Sequence, residues 1–420
     1  MKIFIRTFGC TLNQSDSEVM AGLLLEAGHI IVESADQAQI IIFNTCTVKD
    51  NPEKRFFFEL EKARAAGKFV VVAGCVSQAD PMNKKLIDIS ILGVDNISQI
   101  AEVVEEAIAG GVVRLIAHGK NPRLNLPKIR RNPAVEIIPI CAGCLGECSY
   151  CKTRHARGSL VSYDPEAIKQ QFKTAVKEGV KEIWLTSQDN GAYGKDIGLS
   201  LPELMKELLE IKGDYIVRIG MINPDHALEF IGGLIDILKH PRVFKFVHLP
   251  LQSGNDRILK MMNRKYSVAD FVFLVKKLRE AIPDITLATD VIVGFPSETD
   301  QEFEDTCALL EKLRIPVINI TKFYPRPGTP AKKLKMLPNN VAKSRSLRLS
   351  MLYRKVITNA EWIGWQGEVI IDEMGKDGSW AGHNDYYKQV VIKNAKLSLG
   401  QKVMVKVVKA EQFYLEATPI

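Results

Sequence analysis

The sequence predicts an α/β protein built in three parts, and three patterns carry that prediction. Short apolar runs alternate with helix-period stretches over residues 1–117, as in a parallel sheet with crossover helices. From Val135 the alternation resumes with longer spacing and gives six strand–helix units, which suits an open or partial barrel rather than the eight-fold one. The last segment turns to short alternating strands parted by Gly and Asp, which fits a small five-stranded antiparallel barrel. The expected boundaries are 1–117, a basic linker over 118–133, a core over 134–330, a basic connecting segment over 331–357 and the final barrel over 358–420.

Turn residues bound each expected element. In the first part Lys2–Ile5, Ile40–Phe43 and Phe69–Val72 read as strands, with helices over Ser15–Ala27, Pro52–Ala65 and Ile97–Ala109. Three prolines and several basic residues between His118 and Pro133 mark the linker. The core strands are Val135–Ile140, Glu182–Leu185, Ile216–Ile219, Phe244–Leu249, Thr286–Val293 and Val317–Lys322. Helices over Pro165–Glu178, Leu201–Leu209, Ala227–Leu238, Val268–Ala281 and Asp300–Leu313 separate them. Glu368–Asp372, Lys388–Ile392, Lys402–Val408 and Phe413–Glu416 supply strands of the last barrel.

Composition narrows the class. With 46% hydrophobic and 25% charged residues, the 420-residue chain is an ordinary globular sequence. No apolar run reaches the ~18 residues that span a bilayer, and the first residues lack a secretory apolar region, so a cytoplasmic protein is expected. The net charge of +7 is concentrated in two acid-free segments. Arg123, Lys128, Arg130 and Arg131 form one; Lys332, Lys333, Lys335, Lys343, Arg345, Arg348, Arg354 and Lys355 form the other. Such patches point to a polyanion, with Lys332, Lys333, Lys335, Arg345 and Arg348 as candidate RNA contacts, or else to a solvated linker face.

Eight cysteines without an export signal argue for metal or redox chemistry over disulfides. Cys144, Cys148 and Cys151 form C-x3-C-x2-C just past the first core strand. Three thiolates on one tight loop hold three irons of a 4Fe-4S cubane and leave the fourth open. An open iron suits S-adenosylmethionine, whose reductive cleavage yields a 5′-deoxyadenosyl radical, so these three are also the expected catalytic residues. Cys141 extends the run to four, which leaves a closed zinc site or a fully ligated cluster as the alternative. Cys10, Cys46 and Cys75 each follow a strand of the first sheet. Parallel strands align their C-terminal ends, so these three thiols converge on one edge as a second metal site, or else are small buried core residues. Cys307 lies within a helix and reads as core.

Four residues near the strand ends are candidates for cofactor contact: Tyr150 between two ligands, Arg218 and Gln252 facing the rim, and Gly294 in Gly294-Phe295-Pro296. Each has an ordinary structural reading too, as has His248 on a core strand.

Thr7-Phe8-Gly9-Cys10 with Asn13, Asn44-Thr45-Cys46 and Ala73-Gly74-Cys75 resemble the N-terminal domain of the radical S-adenosylmethionine methylthiotransferases. Gly143 to Cys151, followed by Lys152-Thr153-Arg154-His155-Ala156-Arg157-Gly158, resembles their radical core, and the C-terminal segment resembles a TRAM domain. The resemblance implies a flavodoxin-like first domain, a partial (β/α)6 radical SAM barrel and an RNA-binding β-barrel. Ile183 to Asp189, Gly191 to Gly194, His248 to Gly254 and Phe323 to Pro330 resemble the archaeal and eukaryotic tRNA subgroup. The implied substrate is N6-threonylcarbamoyladenosine beside the anticodon of tRNA, and the product carries a 2-methylthio group.

Two 4Fe-4S clusters, S-adenosylmethionine, a reducing electron donor and a sulfur source follow from the same resemblance, as does a soluble archaeal-type protein without the eukaryotic C-terminal anchor. The sequence departs from the family's pattern at Cys141, where a small polar residue is expected, at Asn255 in place of Ser, and at Ser297 in place of Gly. Isopentenyladenosine in tRNA and a ribosomal-protein aspartate are the rival substrates. A non-catalytic iron–sulfur protein that binds RNA is the rival of another class.

Overall fold

The computed structural model describes residues 1–420 except 48, 49, 118, 120–122 and 376. The first layer runs β1 (Lys2–Thr7), α1 (Thr11–Glu26), β2 (Ile30–Ile31), β3 (Ile40–Thr45), α2 (Asp50–Ala65), β4 (Phe69–Gly74), α3 (Cys75–Ala79), β5 (Ser90–Leu92), α4 (Ile100–Ile108) and β6 (Arg114–Leu115). Its strands form one parallel sheet in the order β2-β1-β3-β4-β5-β6. β3 is buried along its whole length, because helices cover both faces of a parallel sheet. β2, β5 and β6 are too short to show a period and were not expected.

The second part contains β7 (Val135–Pro139), β8 (Cys141–Ala142), α5 (Thr153–Arg157), β9 (Val161–Ser162), α6 (Pro165–Lys177), β10 (Glu182–Thr186), α7 (Leu201–Leu209) and β11 (Ile216–Ile219). It continues with α8 (Pro224–Glu229), α9 (Ile231–Lys239), β12 (Phe246–His248), α10 (Asp256–Met261), α11 (Val268–Ala281), β13 (Thr286–Val293), α12 (Asp300–Leu313), β14 (Val317–Lys322) and α13 (Asn339–Val356). Two parallel triplets, β11-β10-β7 and β12-β13-β14, meet through a bridge between Val217 and Val243. The result is the expected partial (β/α)6 barrel, open between its first and last strands. Alternation sends Ile183, Leu185, Val217, Ile219 and Val247 outward against α6, α7 and α11.

The third part is a closed barrel of β15 (Gln366–Met374), β16 (Trp380–His383), β17 (Gln389–Ile392), β18 (Lys402–Ala410) and β19 (Leu415–Pro419), in the order β15-β16-β17-β19-β18. β16 is the fifth strand that the sequence patterns had not named. This domain plugs the N-terminal ends of the larger barrel: Ile370 and Tyr387 pack on Ile216, Phe244, Phe246 and Ala288.

Both basic segments differ from expectation. Residues 118 and 120–122 of the expected linker lie outside the described ones, but the rest is an ordered seam. Arg123 is buried against Asp16 and Asp95, Lys128 pairs with Glu136, and Arg130 bridges Glu136 and Glu178. A Cβ on Gly22 would come within 2.3 Å of the Pro127–Lys128 backbone, so α1 lies directly on this seam. The second segment holds α13, whose Ala342, Arg345, Leu349 and Tyr353 form a buried stripe. It is part of the barrel wall, not a linker.

His383 clamps the plug. Its Nδ1 lies 2.9 Å from Asp372 and 3.4 Å from Glu182 of β10, and its ring stacks on Tyr387 at 4.1 Å. Burial opposes charge on the imidazole, yet Tyr387, Glu182 and Asp372 overcome it and raise the His383 pKa well above its ordinary value. A raised histidine stabilises the fold fully below its unfolded value of about 6.5, and that contribution is lost as pH rises through the folded pKa. The Tm difference between the protein and His383→Gln is therefore expected to be largest below about pH 6.5 and to shrink as pH rises to the alkaline side. A difference independent of pH would refute the clamp.

Candidate active site

The turn after the barrel's cysteine loop meets the C-terminal edge of the first sheet: Ala156 of α5 packs with Cys75, and Arg157 reaches Asn13. Cys144, Cys148 and Cys151 occupy the loop between β8 and α5. The end of α10 holds this loop: Ser149 N–H donates to Met262 O at 3.0 Å, Ser149 Oγ to Met261 O at 2.8 Å, and Asn263 Nδ2 to Glu147 O at 2.8 Å.

The three sulfurs already receive the donors that metal-bound thiolates use. Gly146 N–H donates to Cys144 Sγ at 3.2 Å, Thr153 N–H to Cys151 Sγ at 3.3 Å, and Arg264 Nη1 to Cys148 Sγ at 3.0 Å. A Cβ on Gly146 would sit 3.3 Å from Cys144 Sγ and 3.7 Å from Cys148 Sγ, so the loop already folds closely round the sulfurs. Burial pushes the Cys144 thiol up to about 12 and also raises Cys151. Protons leave such thiols when a cation takes the sulfur, and an all-thiolate donor set selects soft metals. The residues present therefore fit an iron–sulfur cluster. Cys141 is turned the other way, fully buried among Ile138, Ile140 and Leu185, with its thiol 3.8 Å from Asp189 O.

Cys10, Cys46 and Cys75 follow β1, β3 and β4 as expected, and Asn13 joins two of them. The Cys10 thiol points at Asn13 Oδ1 from 3.4 Å and the Cys75 thiol from 3.9 Å. A Cβ on Gly9 would lie 3.0 Å from Cys46 Sγ and 3.4 Å from Asn13 Cγ. Asn13 is itself locked, giving Nδ2 to Thr45 O at 2.7 Å while Asn44 Nδ2 donates to Asn13 O at 2.7 Å. Cys46 and Cys75 are buried and Cys10 is exposed. Two thiols on one locked asparagine, with the third beside Gly9, form an all-thiol donor set of the kind that soft metals take.

The four expected cofactor contacts lie in different settings. Gln252 adopts φ +66°, is buried, and leaves Oε1 without a hydrogen-bond partner, as expected of a side chain waiting for a ligand. Tyr150 packs edge-on to Phe295 at 6.5 Å and lines the wall under the cluster loop. Arg218 was expected at the rim, but its guanidinium is stacked deep in the barrel among Trp184, Phe246 and Tyr387, 5.0–5.5 Å from each ring. Gly294, at φ +72°, would put a Cβ 2.6 Å from Ala342 Cβ, so this glycine admits α13 rather than a nucleoside.

Of the expected RNA contacts, Lys332, Lys333 and Lys335 are exposed and adjoin the cluster loop, since Ala331 N–H donates to Ser149 O at 2.8 Å. Arg348 is exposed but paired with Glu304. Arg345 is a correction: it is 6% exposed and bound to Glu298 at 2.6 Å and Asp300 at 2.7 Å, so it braces α13 and is closed to phosphate. The two lesser departures are accommodated differently. Asn255 caps α10 by accepting from Arg257 N–H at 3.0 Å, whereas Ser297 sits at φ +61°, a region that favours glycine.

Sequence reasoning missed Arg264 and the Asp189 cluster. Burial alone would raise the Asp189 carboxyl, but His226 at 2.8 Å and Asn223 Nδ2 at 2.6 Å bring it below its ordinary value. Arg264 follows a helix end in Asn263-Arg264-Lys265-Tyr266, where no spacing marks it as a partner of Cys148.

Three family descriptions match the chain: the Radical SAM superfamily over 138–310, Uncharacterized protein family UPF0004 over 2–92 and the TRAM domain over 364–420. A threonylcarbamoyladenosine tRNA methylthiotransferase of Danio rerio is 45% identical over 100% of this chain and 78% of its own length. The Homo sapiens protein of that name is 44% identical over 100% and 74%. A Pyrococcus abyssi protein described as a probable one is 40% identical over 93% of each. The fold is similar to the radical S-adenosylmethionine methyltransferase TsrM from Kitasatospora setae, at TM-score 0.55 and 13% identity over 79% of this chain and 74% of that one. At 40–45% identity along nearly its whole length, the chain belongs to the threonylcarbamoyladenosine tRNA methylthiotransferase family within the radical SAM superfamily.

Proposed function

We propose that this chain inserts a methylthio group at C2 of N6-threonylcarbamoyladenosine in the anticodon arm of tRNA, working in the cytoplasm with a reducing electron donor and a sulfur source. Two thiol trios brought together where α5 meets the first sheet carry the proposal. An adenine C2–H is not acidic and carries no leaving group, so acid–base residues alone have nothing to work on. When bound, a cluster with S-adenosylmethionine on Cys144, Cys148 and Cys151 supplies hydrogen abstraction by a carbon radical, and a second cluster on Cys10, Cys46 and Cys75 supplies the sulfur.

The chain's own residues position the reactants. Arg264 holds Cys148 and donates to Asn223 Oδ1. Gln252 offers its unanswered Oε1 to a polar ligand group on the strand ends. Lys332, Lys333 and Lys335 stand beside the cluster loop, where phosphates flanking a splayed-out base would pass. From there α13 runs about 27 Å at 1.5 Å per residue toward the C-terminal barrel, with Lys343, Arg354 and Lys355 exposed along it. No helix among the described residues is long and apolar enough to cross a membrane.

Three measurements test this. After anaerobic reconstitution, about eight irons per chain are expected, and Cys141→Ala retains them, while Cys148→Ala and Cys46→Ala each lose about four. Loss of iron from Cys141→Ala would reassign the ligand set. Arg264→Gln removes a hydrogen bond to a ligand sulfur and is expected to lower the reduction potential of the cluster on Cys148, read by EPR-monitored titration. Nucleoside mass spectrometry of tRNA from cells lacking the protein should show N6-threonylcarbamoyladenosine without its 2-methylthio form. An unchanged profile excludes this substrate and leaves isopentenyladenosine or a ribosomal-protein aspartate.

A further inference from the structure

Arg157 stands between the two cysteine sets with part of its guanidinium unanswered. It ends α5, directly after the Cys144–Cys151 loop, yet its side chain crosses into the first domain. Nη2 donates to Asn13 Oδ1 at 3.1 Å and to Asp16 Oδ2 at 2.9 Å. Nε and Nη1 have no hydrogen-bond partner, although the side chain is only 1% exposed. Buried N–H groups on a cation are costly to leave unmade, so this arrangement is one that a ligand completes.

The surroundings specify the ligand. Ala156 packs with Cys75 and Val94, which brings the start of the guanidinium-bearing turn against the second trio. The carboxylate partner, Asp16, is shared with Arg123, so it does not neutralise Arg157 alone. A cluster held by three thiolates is anionic, and a sulfur anion on its open iron adds a further negative charge. A cation with unanswered N–H groups beside that position offsets it.

We propose that Arg157 binds the terminal sulfur anion at the Cys10–Cys46–Cys75 site, a hydrosulfide or methylthiolate, through its two unanswered N–H edges. It holds that sulfur on the side of the site that faces the barrel, where the activated base arrives. This rests on the two-cluster reading above. The ligand is a sulfur anion and not the S-adenosylmethionine carboxylate, because Arg157 is fixed by Asn13 and Asp16 of the first domain.

The test uses the full chain carrying Cys144→Ala, Cys148→Ala and Cys151→Ala, in which only the N-terminal trio can hold a cluster. Methanethiolate and hydrosulfide are titrated into the reconstituted, reduced protein and binding is read from the EPR signal. The parent and its Arg157→Lys and Arg157→Gln variants are expected to hold about four irons per chain. Methanethiolate binding is expected to weaken tenfold or more in Arg157→Gln and less in Arg157→Lys. A variant that keeps its iron and binds methanethiolate like the parent overturns the proposal alone. If both variants lose iron while the parent keeps it, Arg157 retains the cluster and the anion role is overturned. A parent without iron overturns the two-cluster reading and this proposal with it. With the barrel cysteines restored, weaker S-adenosylmethionine binding alongside unchanged methanethiolate affinity assigns Arg157 to the carboxylate and overturns the proposal.

Discussion

Asp16 accepts from Arg123 at 2.5 Å and from Arg157 at 2.9 Å, and all three side chains are no more than 3% exposed. On this buried triad the relative placement of the two thiol trios depends. Asp16 belongs to α1 of the first domain, Arg123 to the seam, and Arg157 to the barrel's cysteine loop. A buried charge stripped of its partner costs about 3–5 kcal/mol, so the three groups stay together or the domains separate. An apolar seam would tolerate sliding; a shared carboxylate with two directional partners does not. Arg326–Glu53 and Lys128–Glu18 secure the same contact from either side.

The barrel is thus closed at both ends by different physics. Below, the C-terminal domain inserts Ile370 and Tyr387, and the Glu182–His383–Asp372 clamp fixes their depth. Arg218 belongs to this plug: its cation lies among three aromatic faces that include Tyr387. Above, charged groups position the first sheet. The plug lies at the far end from the cysteines, so an RNA that touches both runs along the barrel flank, where α13 lies.

The parts of this arrangement that a local pattern encodes were legible in the sequence. Strand period placed Cys10, Cys46 and Cys75 at three aligned strand ends, and loop spacing singled out Cys144, Cys148 and Cys151. Charge was legible in amount and misleading in use. Arg123, Lys128, Arg130 and Arg345 lie in acid-free stretches, yet the fold sets Asp16, Glu136 and Glu298, from outside those stretches, against them. A segment without acids says nothing of the acids folded against it. α13 was missed for the same reason: Ala342, Leu349 and Tyr353 have helical spacing, but Arg345 occupies the same buried face and broke the apolar stripe. Arg264 and Arg157 act through contacts that no local pattern announces.

Cys141 shows how such contacts resolve an ambiguity that spacing leaves open. A fourth cysteine beside three invites a four-ligand site, but the β8–β9 ladder pairs Cys141 with Ser162 and turns its thiol into the core. There it meets the carbonyl of Asp189, whose carboxylate is held by Asn223 and His226. Asn223 in turn accepts from Arg264, the residue that donates to Cys148. The expected small polar residue at position 141 could make the same contact to Asp189 O, and a thiol is a weaker donor of similar size. Cys141 therefore belongs at the far end of the network that steadies the cluster loop, and its sulfur is directed away from the loop that the other three share.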